Sequence, residues 1–326
     1  MVRWVLGIVL VAGIGWCGYW FVGARAVEKT ARNWIDAQGA AGLEVGENGL
    51  TVAGFPNRFD LTMEAPHLAN PDQGWGWRAE FLQIFSLSYK PWHVIAAFSP
   101  RQWVTVGTQE IIVEAQKLQA SLVVRPNAQL PLQRIALVGD SLRLAPLSGP
   151  ALRIGALNFA TRAQDAEARN HRIGLEATEI AISGTTLPAE ATALQKLRLD
   201  AVIRFSAPLD RLATTNPPRL ENIEISEAMA NWGEVAASAN GSLQPGPRGL
   251  AEGQLTLRLE NWQIALDRLA TLGLIAAADL PHLYQAGRLL SARSGKAEMA
   301  ELSVDFTASG IRLGGITVAP PLVLLP

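Results

Sequence analysis

The polarity pattern changes character twice along the chain. From Trp4 to Val22, nineteen residues pass without an Asp, Glu, Lys, Arg or His. As a helix rising ~1.5 Å per residue, this run covers about 28 Å, close to the ~30 Å of bilayer hydrocarbon. No comparable run recurs, so the pattern predicts a single N-terminal transmembrane helix within residues 1–26. Trp16, Tyr19, Trp20 and Phe21 crowd its far end, where amphipathic rings favour a membrane interface. Val27, Thr30, Ala31, Trp34 and Ile35 then recur at helical spacing, which predicts a short amphipathic helix packed on the domain that follows.

Beyond Gly39 the dominant period is two. Phe59, Leu61, Met63 and Ala65 alternate with Asp60, Thr62 and Glu64, and Leu197 to Phe205 and Leu255 to Leu259 repeat the pattern. Ala300, Leu302, Val304, Phe306 and Ala308 alternate with Glu301, Ser303, Asp305, Thr307 and Ser309. Such strands carry one apolar and one wet face, as in an antiparallel sheet with one side exposed. Asn48-Gly49 and Asn240-Gly241 are the strongest turn signals between these runs, because a type I′ turn needs positive φ at both central residues, and the second reads as a hairpin tip. Pro245-Gly246-Pro247 and Thr214 to Pro218 read as breaks between strands.

Helical spacing returns at Leu266 to Leu274 and at Leu280 to Leu290, the second opened by Asp279 and Pro281, and more briefly at Ala189 to Lys196. The predicted fold is therefore α+β and strand-dominated, with long antiparallel sheets and a few C-terminal helices behind one transmembrane helix. Leu147-Ser148-Gly149-Pro150 marks a soft boundary between two strand-rich halves, 27–148 and 149–326, which can equally form one continuous domain.

Composition sharpens this picture. Charged residues make up 17% of the chain, below the ~25% of soluble domains. The net charge is -1 with no basic cluster, which argues against nucleic acid as a partner. The only cysteine, Cys17, lies inside the apolar run, so no intrachain disulfide or thiolate metal site is expected. Ala24-Arg25-Ala26 offers a small-x-small cleavage site, yet the length of the run favours an uncleaved anchor. Arg25, Lys29 and Arg32 follow the run and Arg3 precedes it, so a literal charge count opposes a cytoplasmic N-terminus. A short tail before a long domain nevertheless favours a signal anchor, with the bulk of the chain in a periplasm.

The chain offers little catalytic chemistry. His67, His93, His171 and His282 are isolated, and there is no H-E-x-x-H, G-x-S-x-G or Walker loop. Gly74-Trp75-Gly76-Trp77 reads as a loop with two aromatics rather than a dinucleotide fingerprint. Asp36, Glu44, Asp60 and Glu64 fall on wet strand or helix faces as solvated carboxylates, and His93 reads as a satisfied structural histidine. Trp75, Trp77, Trp92, Trp103, Trp232 and Trp262 read mainly as core residues.

Val52 to Phe59 (VAGFPNRF), Asn231-Trp232-Gly233-Glu234, Gly249 to Asn261-Trp262 and the closing Gly314 to Leu322 together resemble a family of uncharacterised Gram-negative envelope proteins, domain of unknown function 2125. The resemblance spans the chain, rests on structural motifs, and implies no known activity. An anchor followed by long strands and short helices is also similar in pattern to AsmA-like envelope proteins, which are linked to lipid homeostasis. The expected protein is non-enzymatic and without cofactor, held in the inner membrane, with phospholipid or another envelope lipid as partner. The expected apolar ligand face comprises Leu199, Ala201, Ile203, Leu302, Val304 and Phe306, covered by helices carrying Leu269 and Leu283. A scaffolding role in an envelope complex is the alternative.

Overall fold

A computed structural model of the chain describes residues 2–213, 215–294, 296–313 and 316–324. Helix α1 runs unbroken over Val2–Ala40, so the predicted anchor and the predicted amphipathic helix are one rod of 39 residues. No proline interrupts it, and at ~1.5 Å per residue it reaches about 58 Å. Gly42, at φ +89°, ends it: the Leu43 N–H reaches the Gln38 carbonyl and the Gly42 N–H the Gly39 carbonyl, a Schellman cap. Among the described residues, α1 is the one helix long and apolar enough to cross a membrane.

The chain divides into two compact units. Unit 1 comprises residues 1–124 and 137–149, and unit 2 comprises 125–136 and 150–326. Behind α1, unit 1 carries β1 (Glu44–Gly46), β2 (Gly49–Ala53), β3 (Arg58–Glu64), β4 (His67–Asn70), β5 (Trp75–Ala79) and β6 (Phe81–Leu87). Strands β7 (Lys90–Phe98), β8 (Arg101–Val106), β9 (Gln109–Glu114), β10 (Lys117–Val124) and β11 (Leu132–Pro146) follow, β11 lending residues to both units. They form two antiparallel series. One runs β2–β3–β6–β7–β10 and the other β1–β4–β5–β8–β9–β11. Strands β1 and β2, adjacent in sequence, terminate different series, so the predicted turn at Asn48-Gly49 separates two strands and links the two series. Helix α1 packs against β1, β2 and β3, along the seam where the series begin.

Unit 2 is a meander in which each strand pairs with the next, through β12 (Ala151–Ala163), β13 (Asn170–Ser183), β14 (Ala193–Phe205), β15 (Leu220–Trp232), β16 (Val235–Pro245), β17 (Ala251–Glu260), β18 (Met299–Thr307), β19 (Gly310–Leu313) and β20 (Ile316–Ala319). Its helices are α2 (Ala189–Thr192), α3 (Trp262–Thr271) and α4 (Leu280–Ser294). Helix α2 is shorter than expected, because β14 already begins at Ala193. Helix α4 packs along β18, and α3 packs on α4 and β16. Trp262 fills the gap between the helices: it is 3% exposed and lies against Gly287, where a side chain would collide with its ring.

The predicted strands at Phe59, Leu197, Leu255 and Ala300 are all present, and Phe59, Leu61 and Met63 are buried on one face of β3. Four local readings are corrected. Asn240-Gly241 lies inside β16, where Gly241 at φ +143° allows the Gln254 carbonyl of β17 to approach: a Cβ there would stand 2.2 Å from that oxygen. Trp75 and Trp77 belong to strand β5 rather than a loop. Ala308 is exposed in the turn after β18. Asp60 is not simply solvated, since it pairs with Arg58 at 2.5 Å while its Oδ1 is buried without a partner. The breaks at 215–218 and Pro245–Pro247 do separate strands, whereas Thr214 and the Gly314-Gly315 part of the closing motif lie outside the described residues.

Candidate functional site

The helix face that the sequence marks as amphipathic is the roof of the candidate site. Val27, Ala31 and Ile35 pack onto a cluster of Leu50, Leu61 and Met63, together with Val52, Leu82 and Ile84. Each of these strand residues comes from β2, β3 or β6, whose period of two turns alternate side chains toward the helix. Arg32 holds the outer side of α1, reaching Glu28 at 3.1 Å and Glu47 at 3.4 Å.

Beside this packing an apolar cavity of about 590 Å³ remains open. Its walls come from both strand series: Leu61, Met63, Leu82 and Ile84 on one side, and Val45, Gly46, Leu68 and Trp77 on the other. Ala26, Val27, Thr30, Ala31 and Trp34 of α1 complete it. Leu61, Met63 and Pro66 are buried at its floor, whereas Ala26, Thr30, His67 and Trp34, the last 49% exposed, mark its mouth. The Trp77 indole turns its one polar atom out of the apolar lining, donating to the Gln102 Oε1 at 2.9 Å. The volume lies within the ~300–1,000 Å³ of ligand pockets, and so apolar a lining suits a hydrocarbon chain rather than a polar metabolite.

The aromatic cluster before the roof has a second role that the sequence reading missed. The Trp16 indole donates to the Pro56 carbonyl at 3.1 Å, the Tyr19 hydroxyl to the Ser88 carbonyl at 2.6 Å, and the Trp20 indole to the Arg58 carbonyl at 2.7 Å. Trp20 stacks on Phe59 and meets Phe55 edge-on, while Phe21 stacks on Phe55. These rings fasten the helix to unit 1. The available signal was their spacing, since Trp16, Tyr19, Trp20 and Gly23 share one helical face.

The eight residues expected to form the ligand face do not line this cavity. Leu199, Ala201 and Ile203 lie on β14, and Leu302, Val304 and Phe306 on β18, with three strands between them in the meander. Four interstrand steps put the two groups about 19 Å apart along the sheet. Leu269 and Leu283 sit on α3 and α4, which cover the β16–β18 end. Ala201 is 2% exposed, so it walls no open trough.

Two of the four histidines fall into structural places, and His67 stands at the cavity mouth. His93 meets the Ser121 hydroxyl at 3.1 Å. His171, 1% exposed, lies between the Ala168 carbonyl, 3.2 Å from Nε2, and the Thr161 hydroxyl, 3.3 Å from Nδ1. A carbonyl only accepts, so the ring hydrogen is assigned to Nε2. Burial pushes this imidazole below its ordinary value, against opposing effects of the Ala168 hydrogen bond and the Asp165 charge. Burial would raise the Asp165 carboxyl, but donation from the backbone of Arg169 and Asn170 holds it below its ordinary value instead. These groups staple the loop between β12 and β13. Among the described residues, no three His, Cys, Asp or Glu side chains gather where they would hold a metal ion.

A family profile described as an uncharacterized protein conserved in bacteria, DUF2125, matches residues 20–321, in agreement with the resemblance read from the VAGFPNRF segment and its companions. No curated protein matches the chain, and no solved structure does. The likeness to AsmA-like proteins therefore stays one of strand pattern.

Proposed function

This chain belongs to the DUF2125 family of bacterial proteins, and from that premise we propose a membrane-anchored, non-enzymatic envelope protein that takes a phospholipid acyl chain into the cavity under α1. The apolar half of α1 anchors it in the inner membrane, and both units lie in the periplasm. One observation carries the reading: an apolar cavity of about 590 Å³ opens beside Ala26–Trp34, the turns of α1 that directly follow the apolar run. From Val22 to Ala26 the helix rises about 6 Å, so the near end of the cavity lies one short step from the bilayer surface. Burying ten methylenes at ~0.8 kcal/mol each contributes about 8 kcal/mol before ordering costs. That supports reversible capture of a lipid tail, with the headgroup left at the mouth.

The test uses the full chain in vesicles of phosphatidylethanolamine carrying a photoactivatable group near the end of one acyl chain. Irradiation and peptide mapping should find adducts on Leu61, Met63, Trp77 or Leu82. Adducts confined to Trp4–Val22 would overturn lipid capture and leave the scaffolding role. Topology has its own check, in reporter fusions after Gln38 and at the C-terminus. Both should be active only with a periplasm-dependent enzyme, and activity of a cytoplasm-dependent reporter at both would overturn the periplasmic reading.

A further inference from the structure

Three hydrogen bonds set how deep unit 1 hangs on its helix. Their donors, Trp16, Tyr19 and Trp20, all belong to the apolar run, and their acceptors are the carbonyls of Pro56, Ser88 and Arg58. The run is bounded by Arg3 and Arg25. These are separated by about 33 Å of helix, which leaves only ~3 Å of play around a hydrocarbon core of ~30 Å. Trp16 lies nine residues before Arg25, about 13 Å back along the helix axis. A headgroup layer is only ~5–8 Å thick on each side. The loop tips held at Trp16 and Tyr19 therefore reach past the headgroups.

The residues at those tips suit that depth. Phe55 stays 50% exposed although it stacks on Phe21 at 5.9 Å, and Tyr89 is 58% exposed. Lys90 and Arg58 flank them, exposed. Aromatic rings below cations are the pattern of a membrane interface. Resting on the reading of α1 as the anchor, we infer that Phe55 and Tyr89 form a second membrane contact, seated among the upper acyl chains of the leaflet from which α1 emerges. Unit 1 thus lies on the phospholipid surface instead of standing off on a stalk, which keeps the cavity mouth beside the lipids.

The experiment uses the full chain with Cys17→Ser and one new cysteine at a time, Phe55→Cys, Tyr89→Cys, Val9→Cys or Glu80→Cys. Each carries a small environment-sensitive fluorophore, in vesicles of phosphatidylethanolamine and phosphatidylglycerol. Glu80 precedes the far end of β6 from Ser88, about 26 Å away. Nitroxides near the top of the acyl chains should quench the labels at 55 and 89 several-fold more than the label at 80. Quenching at Val9 with none at 89 beyond that at 80 would overturn the seating while leaving the anchor intact. No quenching at Val9 would overturn both. To remove any pull by the dye, the unlabelled Tyr89→Cys thiol should react several-fold more slowly than the Glu80→Cys thiol with a charged, membrane-impermeant reagent. Equal rates would overturn the proposal. Because Tyr89 makes no stacking contact with α1 comparable to that of Phe55, its variant remains informative even where Phe55→Cys loosens the fold.

Discussion

Gly23 lies flat against the ring of Phe59: a Cβ at Gly23 would stand 2.5 Å from Phe59 Cζ. Phe59 has nowhere to go, because it is 4% exposed and stacked on Trp20. The missing side chain lets helix and β3 meet at the point where the chain leaves the apolar run.

This contact predicts an unusual sign for a helical glycine. Gly23→Ala gains up to ~1 kcal/mol of helix propensity, but overpacking costs about 1–3 kcal/mol. The net result should be destabilisation, larger for Gly23→Leu, seen as faster proteolysis after Arg25 and a lower thermal midpoint. Phe59→Leu should restore part of the loss in the Gly23→Ala background. Stabilisation by Gly23→Ala alone would show that helix and sheet do not meet this way.

The cavity makes a separable prediction. Thr30→Trp places a ring at the exposed mouth without touching the floor. Excluding two methylenes at ~0.8 kcal/mol each should weaken lipid capture roughly tenfold. Photo-crosslinking to Met63 and Leu82 would fall accordingly, with the thermal midpoint within error of the parent. Unchanged crosslinking would place the lipid elsewhere.

In unit 2, Gly241 and Gly253 face β17 and β16 respectively, each at φ +143° and each with a carbonyl oxygen 2.2 Å from where a Cβ would stand. Ala at either position should cost more than about 2 kcal/mol, as strain that backbone cannot relieve. Gly174→Ala in β13, with open space around it, should instead gain ~0.5–1 kcal/mol. Denaturant midpoints of the three variants decide it. Similar midpoints would contradict the register.

His171 predicts how unit 2 responds to acid. Its imidazole is held below the ordinary 6.5 by burial, so the unfolded chain binds a proton that the folded chain refuses. Stability from this group is complete above 6.5 and declines as pH falls below it, by at most ~1.4 kcal/mol per pH unit. Asp165, also depressed, acts in a lower window, below its ordinary 3.8. Unfolding midpoints should therefore drop as pH falls below 6.5, and His171→Gln should flatten that fall. A parent curve already flat there would refute the assignment.

Much of this architecture is legible in the sequence because polarity periods are local. The uncharged run from Trp4 to Val22, the alternation through Phe59, Leu61 and Met63, and the apolar faces of α3 and α4 each need only a dozen neighbouring residues to specify them. The tertiary structure decided what those faces meet. Nothing near Trp16 or Tyr19 names Pro56 or Ser88, forty and sixty-nine residues away, as their partners. The Asn240-Gly241 pair has the chemistry of a tight turn, yet it lies within a strand because a neighbouring carbonyl needs the space of a side chain. The apolar cavity follows the same rule. Its walls are contributed by five strands and a helix that become neighbours only when the two strand series and α1 close together, so the ligand face could not be read from alternation within any one strand.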